Sequence, residues 1–306
     1  MRLLIITMMV TLMSIPALAK PNVFVSILPQ KYFIEKIAGN RVDVNVMVLP
    51  GASPATYEPK PKQMVALSKA DAYFSVGVPF ERTWLPKFRE MNKSMAMVAT
   101  DKDIKKRTMA KHVHKDEHGE HHHDAHDDHK EHGEHHHDKE HKKHAGIKDP
   151  HVWLDPILVK TQAGTIADAL CSIDESNCSY YISRKAEFLK ELDMVHIKLK
   201  RIFRGKHGTH FMVFHPSWGY IADRYHLKQV PVELEGKEPK PSELKEFIKF
   251  VKKENLNAIF IQPQFSKKSA ELIAKETGAK VVAVNPLSED WENNLIHAAM
   301  LISGNK

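Results

Sequence analysis

Histidine is the residue type that most clearly marks possible chemistry in this 306-residue chain. Fourteen of its 21 histidines lie in residues 112–144, where the motif EHGEHHHD occurs at 117–124 and again at 131–138. Imidazole and carboxylate groups bind zinc, copper and nickel. The segment has no apolar periodicity, so we expect a disordered loop that captures metal ions loosely. Its two H-x-x-E-H matches carry no weight, because that pattern needs a helix to place both imidazoles on one face.

A metal site of defined geometry needs ligands on rigid elements, and two histidines outside this segment fit that requirement. His151 opens the stretch HVWLDP, and His215 directly follows the apolar run THFMVF. Ligands of α/β proteins bind beyond the carboxyl ends of strands, which is the position predicted for His215. The two histidines can meet only if two lobes face each other across a cleft. Each also fits a hydrogen-bonded structural histidine.

The elements that would position these residues alternate between short apolar strands and amphipathic helices. Nearly continuous Val, Ile and Phe runs predict parallel strands covered on both faces. We therefore predict an α/β fold of two lobes, each a small parallel sheet flanked by helices, joined by a long rigid helix. The predicted ranges are 20–174 for the first lobe, which includes the loop 112–144, then 175–204 for the linker helix and 205–306 for the second lobe.

Residues 1–19 are predicted to be a signal peptide. Arg2 precedes an apolar run from Leu3 to Ile15, and Ala17-Leu18-Ala19 fits the small-x-small rule for cleavage. An uncleaved anchor is the alternative. The residue directly after the cleavage position is Lys20 rather than cysteine, so we expect a soluble periplasmic protein without a lipid anchor. The net charge of +7 does not indicate nucleic-acid binding, because the lysines are spread over many helices.

Cys171 and Cys178 are the two cysteines of the chain. An oxidising compartment permits a disulfide between them. Two free thiols are equally compatible with the sequence, because it does not show whether the Cα atoms approach within about 7 Å.

Five motifs, taken in order, resemble the substrate-binding proteins of zinc and manganese ABC importers, and the histidine-rich segment resembles their zinc-uptake, ZnuA-type branch. The motifs are VLPGASPATYEPKPKQM (48–64), DPHVWLDP (149–156), FHPSWGY (214–220), ELEGKEPKPSEL (233–244) and FIQPQFS (260–266). The resemblance covers essentially the whole mature chain. It implies a bilobal α/β fold that holds one divalent cation in the cleft.

The resemblance also implies a set of ligand positions. Two of them match His151 and His215, whereas the other two are occupied by Ala55 and Asn285. Zinc usually takes four ligands, so replacements should lie close by. We expect Glu58 to supply an oxygen, with water or Asn285 completing the site; a surface carboxylate beside Lys60 is the alternative for Glu58.

The resemblance further implies that the protein is a non-enzymatic carrier that delivers its ion to an ABC membrane permease, and we expect it to be a monomer. We expect Zn²⁺ rather than Mn²⁺, because manganese prefers oxygen-rich sites and this chain retains imidazoles. Two other functions compete with this interpretation. One is a periplasmic zinc buffer or chaperone without a permease, and the other is an exported zinc-dependent hydrolase.

Overall fold

Two four-stranded parallel sheets form the framework of the protein. The structure is a computed structural model that describes residues 19–109, 147–233 and 239–304. The predicted signal peptide, except for Ala19, and the histidine-rich segment 112–144 lie outside the described residues. Where the chain is described, the predicted α/β fold of two lobes and a long joining helix is confirmed.

The first sheet has the strand order β2-β1-β3-β4, and a helix connects each strand to the next. Its central strands are apolar and buried, as expected for a parallel sheet covered on both faces. The strands are β1 (Asn22–Val25), β2 (Asp43–Val46), β3 (Ala72–Ser75) and β4 (Ala96–Ala99), and the helices are α1 (Leu28–Ala38), α2 (Pro61–Leu67) and α3 (Glu81–Met91).

The two helices between the sheets are α4 (Pro156–Ile173) and α5 (Cys178–Ile202). With 25 residues, α5 is about 37 Å long at 1.5 Å per residue, and it contacts α4 and α1 as well as the C-terminal helix Trp291–Ser303. Cys171 and Cys178, at the junction of these helices, are joined by a disulfide with a Cα–Cα distance of 4.4 Å.

The second sheet repeats the topology of the first, with strand order β6-β5-β7-β8. The helix Lys268–Thr277 is capped by Gly278, whose φ of +77° is a left-handed conformation that glycine adopts without steric cost. The strands are β5 (His210–Val213), β6 (Lys228–Pro231), β7 (Ala258–Ile261) and β8 (Lys280–Ala283), and the helices are α6 (Gly219–Arg224), α7 (Pro241–Lys253), α8 (Lys268–Thr277) and α9 (Trp291–Ser303).

The last helix, α9, returns to the first lobe. The indole of Trp291 lies edge-on to Phe33 of α1, with ring centroids 5.3 Å apart. Trp291 Nε1 also donates to the carbonyl of Trp153, and Trp153 Nε1 donates to the carbonyl of Pro286, both at 2.7 Å. These contacts hold the turn that carries His151 against the second lobe. The predicted domain ranges remain a prediction.

A buried carboxyl group organises the end of β3. Glu81 accepts hydrogen bonds from the hydroxyl of Ser26 and from the backbone N–H groups of Val76 and Gly77, at 2.5 to 2.9 Å. Burial nevertheless raises the pKa of Glu81 to about 7. The Glu81 carboxyl therefore shapes the loop Gly77–Pro79, which borders the cleft.

Within the described ranges, every helix is too short or too polar to cross a lipid bilayer.

Candidate metal centre

His151 sits in a tight, buried turn between the two lobes. It precedes a single 3₁₀ turn, Val152–Leu154, and its side chain is 9% exposed. Asp155 ends the turn and caps α4 by accepting a hydrogen bond from the N–H of Ile157 at 2.8 Å, with Pro156 at the first helical position. The sequence HVWLDP thus codes for a rigid turn followed by a helix start, which restricts the orientation of the imidazole.

The imidazole of His151 is held by a buried carboxylate. Asp149 is 0% exposed, and its Oδ1 accepts hydrogen bonds from Nδ1 of His151 at 2.7 Å and from the backbone N–H of His151 at 3.0 Å. Because a carboxylate only accepts, Nδ1 must carry the proton. This leaves Nε2 of His151 as the nitrogen with a free lone pair, the arrangement typical of metal-binding histidines.

Arg107 connects the Asp149 carboxylate to the second lobe. Its Nη1 donates to Asp149 Oδ2 at 3.0 Å, and its Nε donates to Asp223 of α6 at 2.7 Å. A Cβ at Gly219 would lie only 1.7 Å from Nη1 of Arg107, so a larger residue at the start of α6 would displace the guanidinium from this position. The His151 side of the site is therefore tied across the lobe boundary.

Burial and neighbouring charges have opposite effects on the pKa values of Asp149 and His151. Burial alone would raise the pKa of Asp149, but the neighbouring His151 and Arg107 outweigh it and hold that pKa below its usual value. The pKa of His151 is lowered, because burial disfavours the charged ring more than Asp149 favours it. A neutral imidazole beside a carboxylate is the state that binds metal ions.

His215 follows β5 and is held by the second lobe. Its backbone N–H donates to Gln262 Oε1 at 3.1 Å, and Gln262 Nε2 donates back to the His215 carbonyl at 2.8 Å. The His215 ring stacks on Phe265 with centroids 4.9 Å apart. Its Nδ1 is hydrogen-bonded to Glu233, which is 2% exposed. The two histidines thus share one arrangement: a buried carboxylate binds Nδ1 of the ring, and Nε2 keeps a free lone pair.

The structure brings the two predicted histidines together. Their ring centroids are 5.2 Å apart, with 69° between the ring planes. Two imidazoles bound to one tetrahedral zinc at a Zn–N distance of about 2.1 Å place their centroids about 5 Å apart. The observed separation therefore fits one ion shared by His151 and His215.

A second histidine pair lacks these features. The rings of His207 and His226 are 5.1 Å apart, but both residues are exposed. In the part of the chain that the structure describes, neither ring has an ion pair with a carboxylate. Ring separation alone does not distinguish the two pairs, whereas the buried carboxylates do.

The remaining predicted ligands lie outside the cavity between the histidines. This cavity of about 100 Å³ is bordered by both histidines and by Ala55. Glu58 is exposed and does not border the cavity. Asn285 is half-buried, and its Oδ1 accepts hydrogen bonds from Gln264 and from the N–H of Leu287. The described residues contain no group of three or more His, Cys, Asp or Glu side chains arranged to hold a metal ion.

Sequence reasoning missed the three charged residues that orient the histidines. Asp149 stands two residues before His151, and Glu233 begins the motif ELEGKEP, so both were visible as parts of motifs but not as partners of particular rings. Arg107 had no signal at all, because its role depends on the arrangement of three distant segments.

Comparison with known proteins gives consistent results over nearly the whole chain. Residues 23–300 match the family model of ZnuA, described as zinc-uptake complex component A, periplasmic. The high-affinity zinc uptake system protein ZnuA of Bacillus subtilis (strain 168) is 28% identical over 271 residues, which cover 88% of this chain and 79% of that protein. The zinc-binding lipoprotein AdcA of Streptococcus pneumoniae serotype 4 is 25% identical, and the match spans 90% of this chain but only 52% of its own length.

Two solved structures are also similar. One is described as the crystal structure of ZnuA, with 39% identity and a TM-score of 0.80, covering 94% of this chain and 99% of that chain. The other is described as a 138–173 ZnuA deletion mutant plus zinc bound, with 38% identity and a TM-score of 0.79, covering 93% of this chain and 97% of that chain.

Proposed function

Because this chain belongs to the ZnuA family of periplasmic zinc-uptake components, we propose that it captures one zinc ion on His151 and His215 and delivers it to an ABC permease. The observation that carries the assignment of these ligands is the pair of imidazoles from opposite sides of the cleft. Their centroids are 5.2 Å apart, and each Nδ1 is bound to a buried carboxylate. Zinc is here the cargo of the protein.

The chemistry of the donors favours zinc over manganese. Two neutral imidazoles suit zinc, whereas Mn²⁺ prefers oxygen-rich sites. Asp149 and Glu233 fix the tautomer and the orientation of the imidazoles, which strengthens binding without adding a ligand. Glu58 and Asn285 stay predicted ligands, and either would have to approach the cavity from outside its present border.

Both histidine ligands come from one chain, so the site needs no second copy, and we propose that the protein acts as a monomer. Its family is one of transport components rather than enzymes. We propose that the chain has no catalytic activity, since the ion serves as cargo. We also propose that it is exported without a lipid anchor, although its AdcA relative is named a lipoprotein.

The histidine-rich segment 112–144 is proposed to gather ions beside the cleft. The chain on either side of it is paired, because Met109 N–H donates to the Ile147 carbonyl at 2.9 Å and Thr108 forms an antiparallel bridge with Lys148. Met109, Ile147 and Lys148 also border the cavity. The described residues on either side of the undescribed stretch 110–146 therefore lie at the mouth of the proposed site.

This pairing permits a deletion variant. Removing residues 112–144 leaves Ala110, Lys111, Ala145 and Gly146 to connect Met109 and Ile147, a length typical of hairpin loops. Zinc titration of this variant by chelator competition should give one tight ion per chain. His151→Ala/His215→Ala in the same background should remove it.

The matched control is His207→Ala/His226→Asn, which removes the exposed histidine pair. Asparagine is chosen because His226 has a φ of +57°, which asparagine tolerates. The control should keep the tight ion. If the deletion variant has no tight site, the zinc-buffer alternative is correct instead.

A further inference from the structure

The cavity between the histidines is larger than one metal ion requires. Its volume of about 100 Å³ exceeds several-fold the roughly 10–15 Å³ that suffices for one water. Ala55 borders the cavity at a position where a longer side chain would fill part of it. The site as described thus offers two imidazole donors and unfilled space beside them.

The charge at the cavity mouth is unusual for a cation site. Arg82 and Lys148 both border the cavity and are exposed. Among the described residues, neither side chain forms an ion pair. A zinc ion bound between the histidines would lie near these two cations as well as near the carboxylates of Asp149 and Glu233, and an anion between Arg82 and Lys148 would offset the repulsion that the two cations exert on the ion.

Ser217 borders the same cavity and is 1% exposed, but its Oγ is itself buried and does not face the empty space. The groups beside the cavity that can bind carboxylate oxygens are therefore the two cations, which form charge-assisted hydrogen bonds with them.

We propose that the cleft takes up zinc together with a small carboxylate-bearing chelator, as a ternary complex. This inference rests on the proposed function, because His151 and His215 supply two of the four zinc ligands. Two oxygens of the chelator supply the other two, at the side of the cavity where Ala55 stands. Arg82 and Lys148 balance the remaining carboxylate charge.

The test uses the full chain and citrate as the probe. Equilibrium dialysis with radiolabelled citrate and zinc, compared with His151→Ala/His215→Ala, isolates the cleft, because both proteins keep segment 112–144. The wild-type chain should bind one zinc and one citrate more per chain than the double variant. Without zinc, this additional citrate should not bind. Arg82→Ala should weaken citrate retention about tenfold or more, as expected for a lost charge-assisted hydrogen bond.

Arg89→Ala is the matched control, since Arg89 is an exposed arginine of the same helix that does not border the cavity, and it should change nothing. One zinc without citrate in the cleft would overturn the inference and leave the proposed function intact. No zinc difference between wild type and the double variant would overturn both. Loss of the zinc in Glu58→Gln, with or without citrate, would show that Glu58 supplies the carboxylate and would also overturn the inference.

Discussion

Replacing Asp149 by asparagine should weaken zinc binding even though Asp149 does not itself reach the ion. The carboxylate holds Nδ1 of His151 at 2.7 Å through Oδ1, and it accepts from Arg107 at 3.0 Å through Oδ2. Asparagine can keep only one of these contacts, because its NH₂ group would face a donor. It also removes the negative charge that makes the imidazole a better electron donor.

Loss of such a carboxylate partner typically lowers metal affinity 10- to 100-fold, or about 1.4–2.7 kcal/mol. The assay is competition with a chromogenic zinc chelator at pH 7.5, in the variant lacking residues 112–144. The predicted dissociation constant for zinc rises within that range, while the stoichiometry stays at one.

Asp155→Asn is the matched control. Asp155 is also buried and also binds an arginine, Arg224, at 2.7 and 2.9 Å, but it does not contact either histidine. Both substitutions should lower the melting temperature, and only Asp149→Asn should weaken zinc binding. Equal losses of affinity in the two variants, or unchanged affinity in Asp149→Asn, would refute the reasoning.

Three further perturbations follow from the structure. The pKa of Glu81 is about 7 in the folded protein and near 4.5 when unfolded, so this buried carboxyl should lower the free energy of unfolding by about 3 kcal/mol as pH rises from 4.5 to above 7. Chemical denaturation at several pH values should show this slope, and Glu81→Gln should flatten it. Cys171→Ser/Cys178→Ser opens a loop with a sequence separation of 7 and should cost about 2.5 kcal/mol in denaturant unfolding, without changing zinc affinity. Ala55→His adds an imidazole to the cavity and should tighten zinc binding at least about tenfold in chelator competition; unchanged affinity would mean that position 55 does not face the ion.

The fold was predictable because its signals are local. Continuous apolar runs such as AYFS in β3 are fully buried, and the proline and aspartate of HVWLDP mark the start of α4. The return of α9 to the first lobe was not predictable in the same way. It depends on Trp291 packing against Phe33, a contact between the two ends of the described chain.

The residues of the candidate site also fall into those that the sequence could predict and those that it could not. His151 and His215 could be predicted because both stand at element boundaries that an α/β fold brings to the cleft. Glu58 was chosen for its closeness to Ala55 in sequence; it is exposed and does not border the cavity, and it stays a predicted ligand. Asp149, Glu233 and Arg107 escaped prediction because a hydrogen bond between distant segments leaves no periodic pattern.

The position of the ion is the most direct test of the account. Crystals of the variant lacking residues 112–144, grown with zinc, should give one anomalous difference peak at the zinc edge. We predict that this peak lies about 2.0–2.1 Å from Nε2 of both His151 and His215. A peak that contacts only one of these rings, or that lies elsewhere on the molecule, would contradict the account.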